Sequence, residues 1–194
     1  MSGSQNENTI LAAYRDKRSV FTLTDIAVLV GESDFNAMNG KVNYYVRTGR
    51  LLNPRKGIYA KAGYPPEELA CVLYTPSYIS LEYVLQRAGI IFQYDERITS
   101  VSYLSRNIEI ENRTFSYRKI KGEILVVTKG LNREGNVNIA SPERAFLDLL
   151  YLNRQCVFDN LNPLNKELID QLLPLYGSKA LVTRVQKLLK DGEY

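Results

Sequence analysis

Between Thr22 and Ala60 the hydrophobic pattern changes period twice. Leu23, Ile26, Ala27 and Val30 form an apolar stripe at helical spacing. Thr22-Leu23-Thr24-Asp25 opens it with the spacing of a capping box, Asp standing in for Glu, and Gly31 stops it. Ser33 or Asp34 then caps a further helix that runs to Thr48 before Gly49 ends it. Leu51-Leu52 and Ile58-Tyr59-Ala60 read as short strands around a turn, Asn53 to Gly57, with Gly57 available for a positive φ. Helix, glycine-containing turn, helix and hairpin is the outline of a winged helix-turn-helix. An earlier helix of about three turns, marked by Ile10, Leu11 and Tyr14, is expected to end near Arg18 and to face the second one.

Charge gives that outline a direction. From Phe35 to Gly63 there are six basic residues (Lys41, Arg47, Arg50, Arg55, Lys56, Lys61) and no aspartate or glutamate. Residues 1–63 hold nine Lys/Arg against five Asp/Glu, whereas residues 64–194 hold sixteen against sixteen. The whole net charge of +4 therefore sits in the first third. Such a face attracts a polyanion through salt-sensitive contacts, although a solvated surface produces the same run of charges.

A helical wheel at about 100° per residue divides the third helix. Phe35, Met38, Val42 and Val46 cluster on a side expected to be buried, with Tyr45 near it. The opposite side centres on Tyr44, with Ala37, Gly40, Lys41, Arg47 and Thr48 around it and Asn36 and Asn43 at its margin. Amides pair with adenine edges, Lys and Arg reach guanine or phosphate, and small residues allow close approach. Arg50 follows the helix, and Arg55 and Lys56 stand at the hairpin tip, where a wing touches the sugar-phosphate backbone. Double-stranded DNA is the favoured partner. The pattern lacks the aromatic strand platform that reads single-stranded RNA.

Ala62-Gly63-Tyr64-Pro65-Pro66 reads as a linker, dividing the chain into a domain of residues 1–63 and one of residues 64–194. In the second, Glu67 to Tyr74 and Ile79 to Ala88 read as helices separated by Thr75-Pro76-Ser77. Ile98 to Leu104, Ile108 to Ile120, Ile124 to Lys129 and Val137 to Ala140 read as strands. Ser141-Pro142-Glu143 begins a helix with a capping Ser and a Pro at the first position. Helices are expected to fill the remainder. The fold class expected is α+β, a winged helix-turn-helix followed by a mixed domain with a small, mainly antiparallel sheet.

Three segments resemble the AbiEi-type antitoxins of bacterial type IV toxin-antitoxin systems. They are Gly57-Ile58-Tyr59 in the wing, Tyr74-Thr75-Pro76-Ser77-Tyr78-Ile79-Ser80-Leu81-Glu82-Tyr83-Val84-Leu85, and Ser141-Pro142-Glu143-Arg144-Ala145-Phe146-Leu147-Asp148. The resemblance covers roughly residues 10–155 in order, with Thr75 where the family is expected to have another proline. It implies an N-terminal DNA-binding domain that represses its own operon and a C-terminal domain that helps to neutralise a nucleotidyltransferase toxin, without a stable toxin complex. It carries the DNA-contacting role onto Lys41, Tyr44, Arg47, Thr48, Arg55 and Lys56. In the C-terminal domain, Ser77, Tyr78, Ser80, Glu82, Glu143, Arg144 and Asp148 carry the motif, and a structural role is the main reading for most of them. Arg144 and Asp148, four apart, form either an exposed ion pair or, if buried, an organiser of the domain. Inverted repeats in its own promoter would be filled by cooperating monomers or a weak dimer.

The inventory disfavours an enzyme. There is no His, the two cysteines (Cys71 and Cys156) are far apart, and no glycine-rich phosphate cradle precedes a Lys-Ser/Thr. The nucleotidyltransferase signature, Gly-Ser followed by paired aspartates, is missing as well. No catalytic residue, metal or cofactor is assigned. Sparse cysteines, a polar start from Met1 to Asn8 and the lack of a spanning apolar run point to a cytoplasmic protein without membrane contact. The alternative reading of the basic face is an adaptor for a protein partner or RNA.

Overall fold

A computed structural model describes the backbone of residues 3–191 and the side chains of residues 9–190. Met1, Ser2 and the side chains up to Asn8 lie outside the described residues, so most of the polar start is not described. The chain forms two compact units that meet in sequence at Leu73 and Tyr74, ten residues beyond the boundary expected between residues 63 and 64 in the Ala62–Pro66 linker.

The first unit contains α1 (Gly3–Arg15), β1 (Val20–Thr22), α2 (Leu23–Val30), α3 (Phe35–Arg47), β2 (Leu52–Arg55), β3 (Ile58–Ala60) and α4 (Pro66–Leu73). The capping box at the start of α2 is present. Thr22 Oγ1 accepts from the Asp25 N–H at 3.1 Å, and Asp25 Oδ2 accepts from the Thr22 N–H at 2.8 Å. Gly31 closes α2 in the left-handed region. The Asp34 carboxylate caps α3 by accepting from the Asn36 and Ala37 N–H groups. The three strands form an antiparallel sheet in the order β1-β3-β2. Helices and sheet share a core that includes Phe21, Ile26, Met38, Val42, Tyr45 and Tyr59.

Two expectations change here. The hairpin turn is Lys56-Gly57 alone, with Gly57 at φ 81°, because β2 runs on through Asn53-Pro54-Arg55. Pro54 is tolerated since β2 is an edge strand. Helix α4 belongs to this unit: Glu68 is buried, and its carboxylate accepts from the N–H groups of Ser19 and Val20 at 2.8 and 3.3 Å.

The second unit is a mixed α+β arrangement. Its strands are β4 (Ser77–Ile79), β5 (Ile98–Ser102), β6 (Arg106–Ile110), β7 (Arg113–Lys119), β8 (Leu131–Glu134) and β9 (Val137–Ala140). They form one sheet in the order β6-β7-β5-β4-β9-β8. Three neighbouring pairs are antiparallel, and β5·β7 and β4·β9 are parallel. The sheet is thus six-stranded and mixed, not small. The helices are α5 (Glu82–Arg87), α6 (Gly122–Leu125), α7 (Pro142–Leu152), α8 (Lys166–Leu172) and α9 (Lys179–Asp191), with a 3-10 turn at Leu173–Tyr176.

Three local expectations are corrected. The helix expected from Ile79 is a strand followed by a helix, because the chain reverses at Leu81, which is buried at φ 62°. That conformation is costly for a leucine and is held by its surroundings. Thr99 Oγ1 donates to Ser80 O at 2.7 Å and accepts from the Tyr83 N–H at 3.0 Å. The single strand expected over 108–120 is a hairpin, turning at Glu111 and Asn112, both at positive φ. The strand expected at Ile124 is the short helix α6, and β8 has no counterpart in the sequence pattern. Helix α7 begins as read, with Ser141 Oγ accepting from the Arg144 N–H. Residues Glu143 to Leu150 are all buried, so α7 is the central helix of its unit.

Candidate nucleic-acid interface

The surface of the first unit is set by which residues of α3 the core takes. Met38, Val42 and Tyr45 are fully buried, whereas Phe35 is 49% exposed and Val46 only half-buried. The burial expected for Phe35 is therefore wrong. It is the first residue of α3, and Tyr45 occupies the core instead. Its ring stands edge-on to that of Tyr44 at 5.8 Å.

Exchanging Phe35 for Tyr45 rotates the buried stripe, at about 100° per residue. The outward side then centres on Gly40 and Arg47 instead of Tyr44. Asn36 moves from its margin toward its middle, and Asn43 comes about as near the centre as Tyr44 on the other side, at about 50°. Asn36, Gly40, Asn43 and Arg47 are all exposed. Among the described residues, no side-chain hydrogen bond occupies Asn36, Asn43 or Arg47.

The other basic and polar candidates are less alike than their sequence implies. Lys41 Nζ pairs with Glu32 at 3.2 Å, so an acid from before the acid-free stretch offsets one of its charges. Hydrogen bonds from the Asp34 N–H and from Lys41 hold the Glu32 carboxyl below its ordinary range. Thr48 Oγ1 donates back to Tyr44 O at 2.9 Å as the helix closes. Arg50 is exposed, and its carbonyl accepts from Tyr14 Oη at 2.8 Å. Lys61 turns away from the face: Nζ donates to Asp16 O at 2.7 Å and sits 5.7 Å from the Phe21 ring.

At the hairpin, Asn53 Nδ2 donates to the carbonyls of Arg55 and Ile58 at 2.8 and 2.7 Å, tying the two strands across the turn. This pin, which in the sequence looks like an ordinary turn residue, holds Arg55 and Lys56 at the tip. The face thus offers two amides, a guanidinium and a basic hairpin.

In the second unit the motif residues go inward. Arg144 and Asp148 are wholly buried, with Arg144 Nε 3.5 Å from Asp148 Oδ1. Asp148 also accepts from Tyr78 Oη at 3.0 Å, Ser80 Oγ at 2.8 Å and Tyr176 Oη at 2.7 Å. The Arg144 guanidinium donates to Ile124 O at 2.8 Å, Lys129 O at 3.1 Å and Tyr78 Oη at 3.2 Å. Burial pushes the Asp148 carboxyl up, against the pull of Arg144 and the three hydroxyls. Burial also raises the phenols of Tyr78 and Tyr176, which remain neutral donors.

This network joins β4, α6, α7 and the 3-10 turn, and it decides between the two readings of the Arg144–Asp148 pair. Tyr176 carried no sequence signal, because its hydrogen-bond partners lie 28 or more residues away. Glu143 Oε1 accepts from the Asn165 N–H at 3.0 Å, at the start of α8. Ser77 is buried, and Glu82 is half-buried on α5, apart from the network. Among the described residues, no group of three or more His, Cys, Asp or Glu is placed to hold a metal ion. None of the described helices is long and apolar enough to cross a membrane.

No protein-family model matches the sequence, and no curated protein matches it. In structure the chain is similar to the RV2827C protein from Mycobacterium tuberculosis. The similarity covers 98% of this chain and 78% of that one, at a TM-score of 0.57 and 14% sequence identity. At that identity the likeness is one of fold, and it extends over the mixed α+β architecture of both units.

Proposed function

We propose that this protein is a DNA-binding transcriptional regulator that represses its own promoter through a winged helix-turn-helix in its first unit. The observation that carries this reading is the outward face of α3. Asn36, Asn43 and Arg47 are exposed and, among the described residues, make no side-chain hydrogen bond, beside a pinned hairpin bearing Arg55 and Lys56. Amides and a guanidinium suit base edges in a major groove, and a basic hairpin suits the phosphate backbone. Three helices followed by a hairpin support the winged-helix assignment. Inverted repeats are the expected operator, filled by cooperating monomers or a weak dimer in the cytoplasm.

The antitoxin role rests on resemblance to the AbiEi-type family. It makes a nucleotidyltransferase toxin the functional partner, without a stable complex. Burial of Tyr78, Ser80, Arg144 and Asp148 supports a scaffolding role for the shared motif, so neutralisation is assigned to other, exposed residues of the second unit.

Gel shifts with duplex DNA from the protein's own upstream region test the regulator reading. Arg47→Ala is expected to weaken specific binding at least tenfold, and Lys41→Ala to cost less because Glu32 already offsets its charge. Arg55→Ala with Lys56→Ala is expected to lower the salt slope by about two, one unit for each phosphate that is no longer neutralised. Unchanged binding in all three would discard the model. Binding to RNA or a protein partner through the same face, with no duplex affinity, would replace it.

A further inference from the structure

Gly40 has no conformational or packing reason to be glycine. It lies in the middle of α3 on the exposed side, and a Cβ added there would meet no atom within 4 Å. Every glycine described at a positive φ has a backbone reason that Gly40 lacks. In a helix interior glycine is less favourable than alanine. The missing side chain therefore has its use outside the fold, where something approaches the helix closely.

The neighbours of Gly40 on that side say what approaches. Asn36 lies one turn before it and Asn43 one turn after, with Arg47 a further turn on. At 1.5 Å per residue the two amides are about 10 Å apart along the axis, the length of about three base-pair steps. Arg47 follows after about 6 Å, or two steps. An asparagine amide pairs in a bidentate manner with adenine N6 and N7, and an arginine with guanine O6 and N7.

Resting on the DNA-binding reading above, we propose that the Asn36-Gly40-Asn43-Arg47 stripe is the specificity determinant of this protein. It reads two A·T pairs about three base pairs apart and a G·C pair about two further on, with Gly40 seated against the groove floor. Tyr44 and Thr48, which lie off this stripe, contribute affinity and not base choice.

The test uses the full chain and duplexes from its own upstream region, with the bound site mapped by footprinting and each base pair then exchanged in turn. Asn43→Ala and Asn36→Ala are each expected to lose about tenfold at the intact site. Each is also expected to become indifferent to A·T→G·C exchange at one position, the two positions lying about three base pairs apart. Gly40→Ala is expected to raise the thermal unfolding midpoint while weakening binding to the same site, and Gly40→Gln to weaken it further. Loss of affinity by the Asn variants equally at the site and on random duplex would overturn the stripe alone, as would full binding by both Gly40 variants. Failure of the wild-type protein to prefer any duplex would overturn the regulator reading together with the stripe.

Discussion

Arg144 and Asp148 show how little a residue's spacing says about its surroundings. Four apart on a helix, they read equally well as an exposed pair worth a few tenths of a kcal/mol or as a buried organiser. The difference lies in partners from β4, α6 and the 3-10 turn, brought from up to 70 residues away. Truncating one member strands a buried charge, so Arg144→Ala is expected to destabilise the second unit by about 3–5 kcal/mol, read from urea unfolding. A loss below about 1 kcal/mol would mark the network as dispensable. Gly130 is a quieter case. It sits at φ 78° with a Cβ position 3.0 Å from Leu172 Cδ1 and 3.2 Å from Arg144 Cβ, and its carbonyl accepts from the Ser141 N–H. Gly130→Ala is expected to cost about 2 kcal/mol from the backbone alone, measured in the same way. Gly40, by contrast, lies inside a helix with no atom near its missing Cβ, and its replacement by alanine is expected to stabilise.

At the scale of elements, local chemistry was legible wherever it closed within a few residues. The Thr22–Asp25 box, the Gly31 stop, the Asp34 cap and the Ser141-Pro142 start all appear where the spacing put them. Strands were less legible: β1 and β8, of three and four residues, are defined by partners and not by period. The segment from Ile124 failed because a β-branched run that looks like a strand is turned into α6 by the bonds around it. The junction of α1 and β1 supplies a pH test. Asp16 accepts from the Arg18 N–H at 2.7 Å and from its guanidinium at 3.0 and 3.1 Å, which holds its carboxyl below the ordinary 3.8. A carboxyl lowered in the folded state stabilises it above the unfolded value and loses that contribution as pH falls through the folded one. Acid unfolding below about pH 4 is therefore expected to be steeper in the wild type than in Asp16→Asn, followed by circular dichroism. Parallel curves would remove this pair from the account.

For the whole molecule, the first unit reaches Leu73 because Glu68 satisfies two backbone donors at the start of β1. A fragment of residues 1–73 is expected to fold and to retain duplex binding. One ending at residue 63 orphans those donors and is expected to be less stable by about 2 kcal/mol. Residues 74–194 are expected not to bind DNA, and operator affinity in that fragment would overturn the assignment. The amino-acid sequence alone determined the order of α1, α2, α3 and the hairpin, the α+β class and the concentration of positive charge before residue 64. Capping, turn chemistry and charge are local properties that one chain segment carries by itself. Only the tertiary structure decided that Tyr45 and not Phe35 enters the core, which turned the outward face of α3 toward Asn36, Gly40, Asn43 and Arg47. It also buried the second unit's motif around Asp148 and assembled six strands into one mixed sheet. Those outcomes depend on which distant surfaces compete for the same interior space, and no local pattern encodes that competition.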